Sequence, residues 1–246
     1  MADSPKHIKG RITWRVDHAP DLWSVRLAPE KAVSFKPGQY ATLGVMNGER
    51  PVERPYSIVS SPDQPELEFF FELVPEGGLT PLLHKLGVGD EVLVRPACKG
   101  VFQLDRKSGR SKHFLVATVT GVAPYVSMAR TLSAAGEPGL ELIILQVGSR
   151  SFELGYAQEL ESLAKRHPWI RYIPAVSRHW EDPDWRGERG RAEDLLRKYT
   201  SLLDLTPENT TAYLCGHPQM IDNSDGILQR AGWSKENIHK EVYWVP

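Results

Sequence analysis

Phe114-Leu115-Val116-Ala117-Thr118-Val119-Thr120-Gly121-Val122-Ala123-Pro124 is the stretch on which the fold turns. An apolar run enters a short loop holding Gly121, and Pro124 then sits where a first helical turn tolerates a missing N–H. Downstream the same grammar repeats. Strand-like Leu140–Gln146, Ile170–Ala175 and Thr211–Cys215 alternate with helical patterns over Pro124–Ala135, Ala157–Arg166, Arg191–Tyr199 and Pro218–Ala231. This alternation predicts a parallel sheet with crossover helices, an architecture that binds ligands at the carboxyl ends of its strands.

Upstream the grammar differs. Ile12–Val16, Trp23–Leu27, Tyr40–Val45, Tyr56–Ser60, Leu67–Val74 and Glu91–Arg95 are short and rich in β-branched and aromatic residues. Turn signals such as Lys36-Pro37-Gly38, Asn47-Gly48 and Gly87-Val88-Gly89-Asp90 separate them. That spacing predicts a closed antiparallel barrel, with one short helix at Leu79–Leu86. The polar, basic segment Arg106–Lys112 reads as a linker. The expected organisation is an antiparallel β-barrel domain over residues 1–105, then a Rossmann-like α/β domain over 106–246.

The chain has 246 residues, of which 41% are hydrophobic and 25% charged, enough to bury a sizeable core. A formal net charge of -1 gives no electrostatic reason to expect nucleic acid or a membrane surface as partner. No run of apolar residues is long enough for a bilayer span. Met1–Arg15 is polar and lacks the apolar core of a signal peptide, so a cytoplasmic location is expected. The two cysteines, Cys98 and Cys215, cannot by themselves hold an iron–sulfur cluster or a four-ligand zinc site. Redox chemistry would therefore come from an organic cofactor.

Arg54-Pro55-Tyr56-Ser57 offers residue types that suit a flavin dinucleotide. A guanidinium pairs with a pyrophosphate, a tyrosine ring covers an isoalloxazine face, and a hydroxyl bonds near N5. Taken alone, the four residues also fit a strand with one exposed arginine and one core tyrosine. Their surroundings narrow the choice. Phe35-Lys36-Pro37-Gly38-Gln39-Tyr40 lies just upstream, and Gly77-Gly78-Leu79-Thr80 opens a helix whose free N–H groups suit a phosphate.

In this order and spacing, nearly end to end, these segments resemble the ferredoxin–NADP reductase superfamily, and most of all its bacterial ferredoxin (flavodoxin)–NADP reductases. The resemblance implies FAD bound to the barrel through Arg54, Pro55, Tyr56 and Ser57. Phe70, Phe71 and Glu72 would line the flavin, and Gly78, Leu79 and Thr80 would cradle its pyrophosphate. Residues 119–124 match a G-T-G-x-x-P core, with Val119 in place of the first glycine and Thr120 touching flavin and nicotinamide. A β-branched residue resists positive φ, so either Val119 keeps an ordinary backbone or the loop departs from the family's. Cys215-Gly216-His217-Pro218-Gln219-Met220 matches the family's C-G-x-P-x-M segment beneath the nicotinamide. Cys215 is read as shaping that pocket, not as a nucleophile.

Charge indicates which nucleotide to expect. Arginines favour a 2′-phosphate, whereas an acid on the ribose marks NAD. Gly148-Ser149-Arg150 and Val176-Ser177-Arg178 follow the second and third strands, and Arg191 opens the next helix. Ser149, Arg150, Ser177, Arg178 and Arg191 match the family's positions for the adenosine 2′-phosphate, which implies NADP. The segment His179–Gly190 between the last two arginines is slightly long for the pattern. At the C-terminus, Glu241-Val242-Tyr243 resembles endings in which a tyrosine covers the flavin, with Trp244 stacked on the FAD adenine.

The implied activity is exchange of hydride between NADP(H) and FAD, and of single electrons between FAD and ferredoxin or flavodoxin, with Ser57, Cys215 and Tyr243 at the reacting centre. Lys99, Arg106, Lys107, Arg110 and Lys112 form either a basic docking rim for an acidic carrier or a solvated linker. A monomer is expected. Two other readings stay open: a reductase component of an oxygenase or another flavin chain, and a flavin-binding sensor without turnover.

Overall fold

The chain divides into two compact units, Met1–Gln103 and Leu104–Pro246. The computed structural model describes residues 6–136 and 139–242.

The first unit is an antiparallel sheet of β1 (Ile8–Ala19), β2 (Leu22–Pro29), β3 (Tyr40–Asn47), β4 (Arg50–Ser57), β5 (Leu67–Glu72) and β6 (Glu91–Val94), in the order β4-β3-β6-β1-β2-β5. The sheet curls so that its two ends meet. Val59, just past β4, donates its N–H to Glu68 O of β5 at 2.8 Å. Closure leaves an interior filled by Ile12, Trp23, Leu27, Leu43, Phe69 and Phe71, each essentially inaccessible to solvent. The short α1 (Thr80–His84) adds Leu83 to this core.

The bounds of β4 differ most from the sequence reading. β4 spans Arg50–Ser57, not Tyr56–Ser60, and pairs with β3 across Gly48, whose φ is 64°. Arg50, Pro51, Glu53 and Pro55 have poor strand propensity. An edge strand accepts proline because its outward N–H groups need no partner. The two-residue turn is Gly48-Glu49, one position on from the Asn47-Gly48 dipeptide, with Gly48 taking the positive φ that a tight hairpin needs.

The second unit is a parallel sheet with order β10-β9-β8-β7-β11-β12, built from β7 (Lys112–Thr118), β8 (Glu141–Gly148), β9 (Ile170–Val176), β10 (Glu188–Arg189), β11 (Thr210–Gly216) and β12 (Ile238–Val242). Helices α2 (Ala123–Ala135), α3 (Ala157–Arg166), α4 (Ala192–Leu202) and α5 (Pro218–Arg230) link the strands. β7, β8 and β11 are buried along most of their length, as expected for central strands covered on both faces. Their inward residues Phe114, Val116, Ile143, Leu145 and Leu214 pack with Leu196 of α4 and Ile221 of α5. The edge strands β10 and β12 escape the sequence reading, since one has two residues and the other, Ile-His-Lys-Glu-Val, is mostly polar. An antiparallel barrel followed by a Rossmann-like α/β unit is thus the observed architecture.

Among the described residues, no helix is long and apolar enough to cross a membrane.

Candidate functional site

In the first unit, the alternation of β4 puts Val52, Arg54 and Tyr56 on one face. The Gly77-Gly78 turn runs along that face. A β-carbon built on Gly78 would lie 3.4 Å from Val52 Cγ1 and 3.8 Å from Arg54 Nη2. Arg54 is exposed and donates to the carbonyl of Glu53 at 2.7 Å, and no carboxylate pairs with it among the described residues. A guanidinium without a counter-ion beside a bare glycine backbone is what a pyrophosphate requires. Tyr56 is half-buried and meets Phe71 edge-on, with ring centroids 4.8 Å apart. Burial pushes its hydroxyl up to about 12, so it stays protonated and the ring acts as an aromatic surface. These features fit FAD.

The remaining flavin candidates are placed more variously. Ser57 is buried at the end of β4, opposite Tyr40 of β3, and Pro55 is exposed opposite Thr42. Phe71 packs in the core against Trp23, whereas Phe70 projects from the other face of β5 against His18, with centroids 5.3 Å apart. Glu72 is exposed at the strand end. Leu79 is a core side chain, so only its backbone faces outward. The Thr80 hydroxyl is engaged with Val74, accepting from its N–H at 3.0 Å and donating to its carbonyl at 3.2 Å.

In the second unit, β7 has β8 on one side and β11 on the other, so the chain reverses its winding between β7 and β11. Open α/β sheets bind ligands at such a switch point. Here the two strand ends interlock. A β-carbon on Gly121 would lie 2.3 Å from Cys215 O. Gly216 has a φ of 127° and lies against Thr118. The Thr118 hydroxyl accepts the N–H of His217 at 2.8 Å. Thr120 is half-buried in the 3-10 turn Val119–Val122, and Cys215 is fully buried beneath. Val119 does not keep an ordinary backbone: it takes a φ of 44°, in the left-handed region. Under the switch, the buried Tyr125 hydroxyl bridges Val116 O of β7 at 3.1 Å and Tyr213 O of β11 at 2.9 Å. Thr118 and Tyr125 were not singled out from sequence, because His217 and Tyr213, their partners on and after β11, lie about a hundred residues away.

Ser149, Arg150, Ser177 and Arg178 come together where β8 and β9 end. The N–H groups of Ser177 and Arg178 donate to Gly148 O and Ser149 O, both at 2.9 Å. Gly190 donates to Val176 O at 3.0 Å, which sets Arg191, the N-cap of α4, beside the same strand end. Arg191 has no ion-pair partner among the described residues. Arg150 pairs with Glu153 at 3.4 Å and with Glu181, and Arg178 lies 3.8 Å from Glu181. Neither glutamate was anticipated.

Glu241 and Val242 belong to β12, in register with Cys215 and Gly216 of β11. Tyr243 and Trp244 lie outside the described residues. Of the basic residues, Arg110 bonds to Pro207 O at 2.7 Å and Lys112 to Leu203 O at 3.0 Å, so both are tied into the second unit.

Residues 115–225 match the family model described as an oxidoreductase NAD-binding domain. The chain is 32% identical over 223 residues to the flavodoxin/ferredoxin–NADP reductase of Escherichia coli (strain K12), covering 87% of this chain and 86% of that protein. It is 27% identical over 239 residues to the reductase component of phenol 2-monooxygenase from Pseudomonas sp. (strain CF600), covering 96% of this chain and 65% of that one. Its fold is that of a ferredoxin NADP+ reductase from Neisseria gonorrhoeae solved with bound FAD and NADP, with a TM-score of 0.88, 24% identity, and coverage of 98% and 100%.

Proposed function

The chain belongs to the flavodoxin/ferredoxin–NADP reductase family, and from that premise we propose that it moves electrons between NADP(H) and a ferredoxin or flavodoxin by way of FAD. When bound, the flavin supplies a two-electron hydride exchange on one side and single-electron release on the other. The protein's own residues bind, orient and shield.

Arg54 and the Gly78 backbone hold the pyrophosphate, Tyr56 offers its ring to the isoalloxazine, and Ser57 serves its N5 edge. Phe70, Phe71, Glu72, Leu79 and Thr80 complete the flavin site, by packing or by backbone. Thr120 and Cys215 line the nicotinamide at the β7/β11 switch, and Cys215 acts there by shape. Ser149, Arg150, Ser177, Arg178 and Arg191 receive the adenosine 2′-phosphate. Tyr243 would shield the flavin and Trp244 would serve the adenine, both lying outside the described residues. The carrier docks through charge, with Lys99, Arg106, Lys107, Arg110 and Lys112 as the basic rim. The protein works as a cytoplasmic monomer, with the barrel domain over residues 1–105 and the nucleotide domain over 106–246.

The observation that carries this reading is the unpaired Arg54 guanidinium beside Gly78, on the same strand face as Tyr56. Likeness to a phenol 2-monooxygenase reductase component supports a second reading, delivery of electrons to an oxygenase. One assay separates the two: reduction of purified ferredoxins and flavodoxins with NADPH and with NADH. Fast NADPH-driven reduction of either carrier is expected. Turnover confined to NADH, with neither carrier reduced, would transfer the case to the second reading.

A further inference from the structure

The arginines at the ends of β8 and β9 are already neutralised from within the chain. Glu181 accepts from Arg150 Nη2 and lies 3.8 Å from Arg178 Nη1. Glu153 takes Arg150 Nη1 at 3.4 Å and the Ser149 N–H at 2.7 Å. Two guanidiniums thus face two carboxylates before any ligand arrives.

The backbone fixes where Glu181 stands. It ends the 3-10 turn His179–Glu181, closed by its own N–H on Arg178 O at 2.9 Å. The next residue, Asp182, accepts the Ser151 N–H at 2.7 Å, and its bonds to Ser151 hold its carboxyl below the usual range. That bond staples the turn to the segment leaving β8. The long stretch between Arg178 and Arg191 therefore returns a carboxylate to the place where arginines from two strands converge.

From this we infer that Glu181 is a specificity-determining residue: an internal anion seated on Arg150 and Arg178 that an incoming 2′-phosphate must displace. The inference rests on the assignment of NADP(H) to this edge. A nucleotide without the 2′-phosphate leaves Glu181 in place and does not meet this competition. The glutamate thus narrows the preference for NADP(H) over NAD(H), and its half-exposed position lets it swing into water at small cost.

The test is calorimetric titration of the flavin-loaded protein with adenosine 2′,5′-bisphosphate and with 5′-AMP, which differ only in the 2′-phosphate. Glu181→Gln keeps the shape and removes the charge. It should tighten the bisphosphate by about threefold to fivefold, as expected for release of a partly exposed ion pair, and leave 5′-AMP unchanged. Glu181→Ala should do the same. Equal shifts for both ligands, or no shift for either, would overturn the inference. A wild-type protein that binds the two ligands equally, and whose Arg150→Ala variant does too, would overturn the NADP(H) assignment beneath it.

Discussion

Gly216 and Thr118 are in such close contact that no side chain fits between them: a β-carbon on Gly216 would sit 2.3 Å from the Thr118 hydroxyl oxygen. The same oxygen accepts the His217 N–H at 2.8 Å. Two parallel strands are locked together at the switch point. Gly216→Ala must move the loop, and its φ of 127° adds strain. The variant should keep its FAD, since these residues lie in the second unit. NADPH-driven flavin reduction should slow by about a hundredfold, the usual cost of misplacing a reactant by an ångström. Flavin content and stopped-flow reduction measured together check this, and unchanged reduction would contradict it.

Val119 stores strain at the same loop. A β-branched residue at a φ of 44° costs about 1–3 kcal/mol. Val119→Gly relieves that and returns part of the gain as unfolded-chain entropy. The net effect should be about 1 kcal/mol of added stability, read as a rise of roughly 2–4 °C in Tm. A fall in Tm would mean that packing of the valine outweighs the strain.

How much of this the sequence showed depends on how local each signal is. The strand–loop–helix at 114–124 was legible because an apolar run, a glycine and a proline lie within eleven residues. β4 was read too short because two prolines and three charges mask an edge strand. The sequence located the arginines that follow β8 and β9, but not their neutralisation, because Arg150 and Glu181 are 31 positions apart and no pattern links them. The conformation of Val119 was not legible either, since sequence argues against a positive φ at a β-branched residue.

Arg54 should matter to binding and not to folding, because its side chain is exposed and bonds only to the preceding carbonyl. Arg54→Ala should weaken FAD by about tenfold to a hundredfold, the range for losing charge-assisted hydrogen bonds. Equilibrium titration of flavin fluorescence on apoprotein gives the number, and circular dichroism tests that the barrel persists. Wild-type affinity in the variant would remove Arg54 from the pyrophosphate site.

Acid should weaken the second unit through His113. Burial, aided by nearby Arg106, pushes its imidazole down from 6.5 to about 4. Its Nδ1 lies 3.0 Å from the Tyr213 hydroxyl, which also accepts the Asp105 N–H at 2.8 Å. The fold holds His113 neutral, while the unfolded chain protonates it near its ordinary value. Its contribution is therefore fully present above pH 6.5 and is lost as pH falls toward about 4. His113→Asn removes this titration. Denaturant unfolding at about pH 7 and about pH 4.5 should show a smaller acid penalty in the variant than in the wild type. Equal penalties would assign the acid sensitivity to other groups.

The most direct measurement is made on the purified protein under anaerobic conditions: its visible absorbance before and after NADPH. The account predicts a yellow protein carrying FAD whose flavin bands bleach on NADPH, and more slowly on NADH. A correctly folded protein that stays colourless when offered FAD, or one that binds FAD and never bleaches, would contradict it.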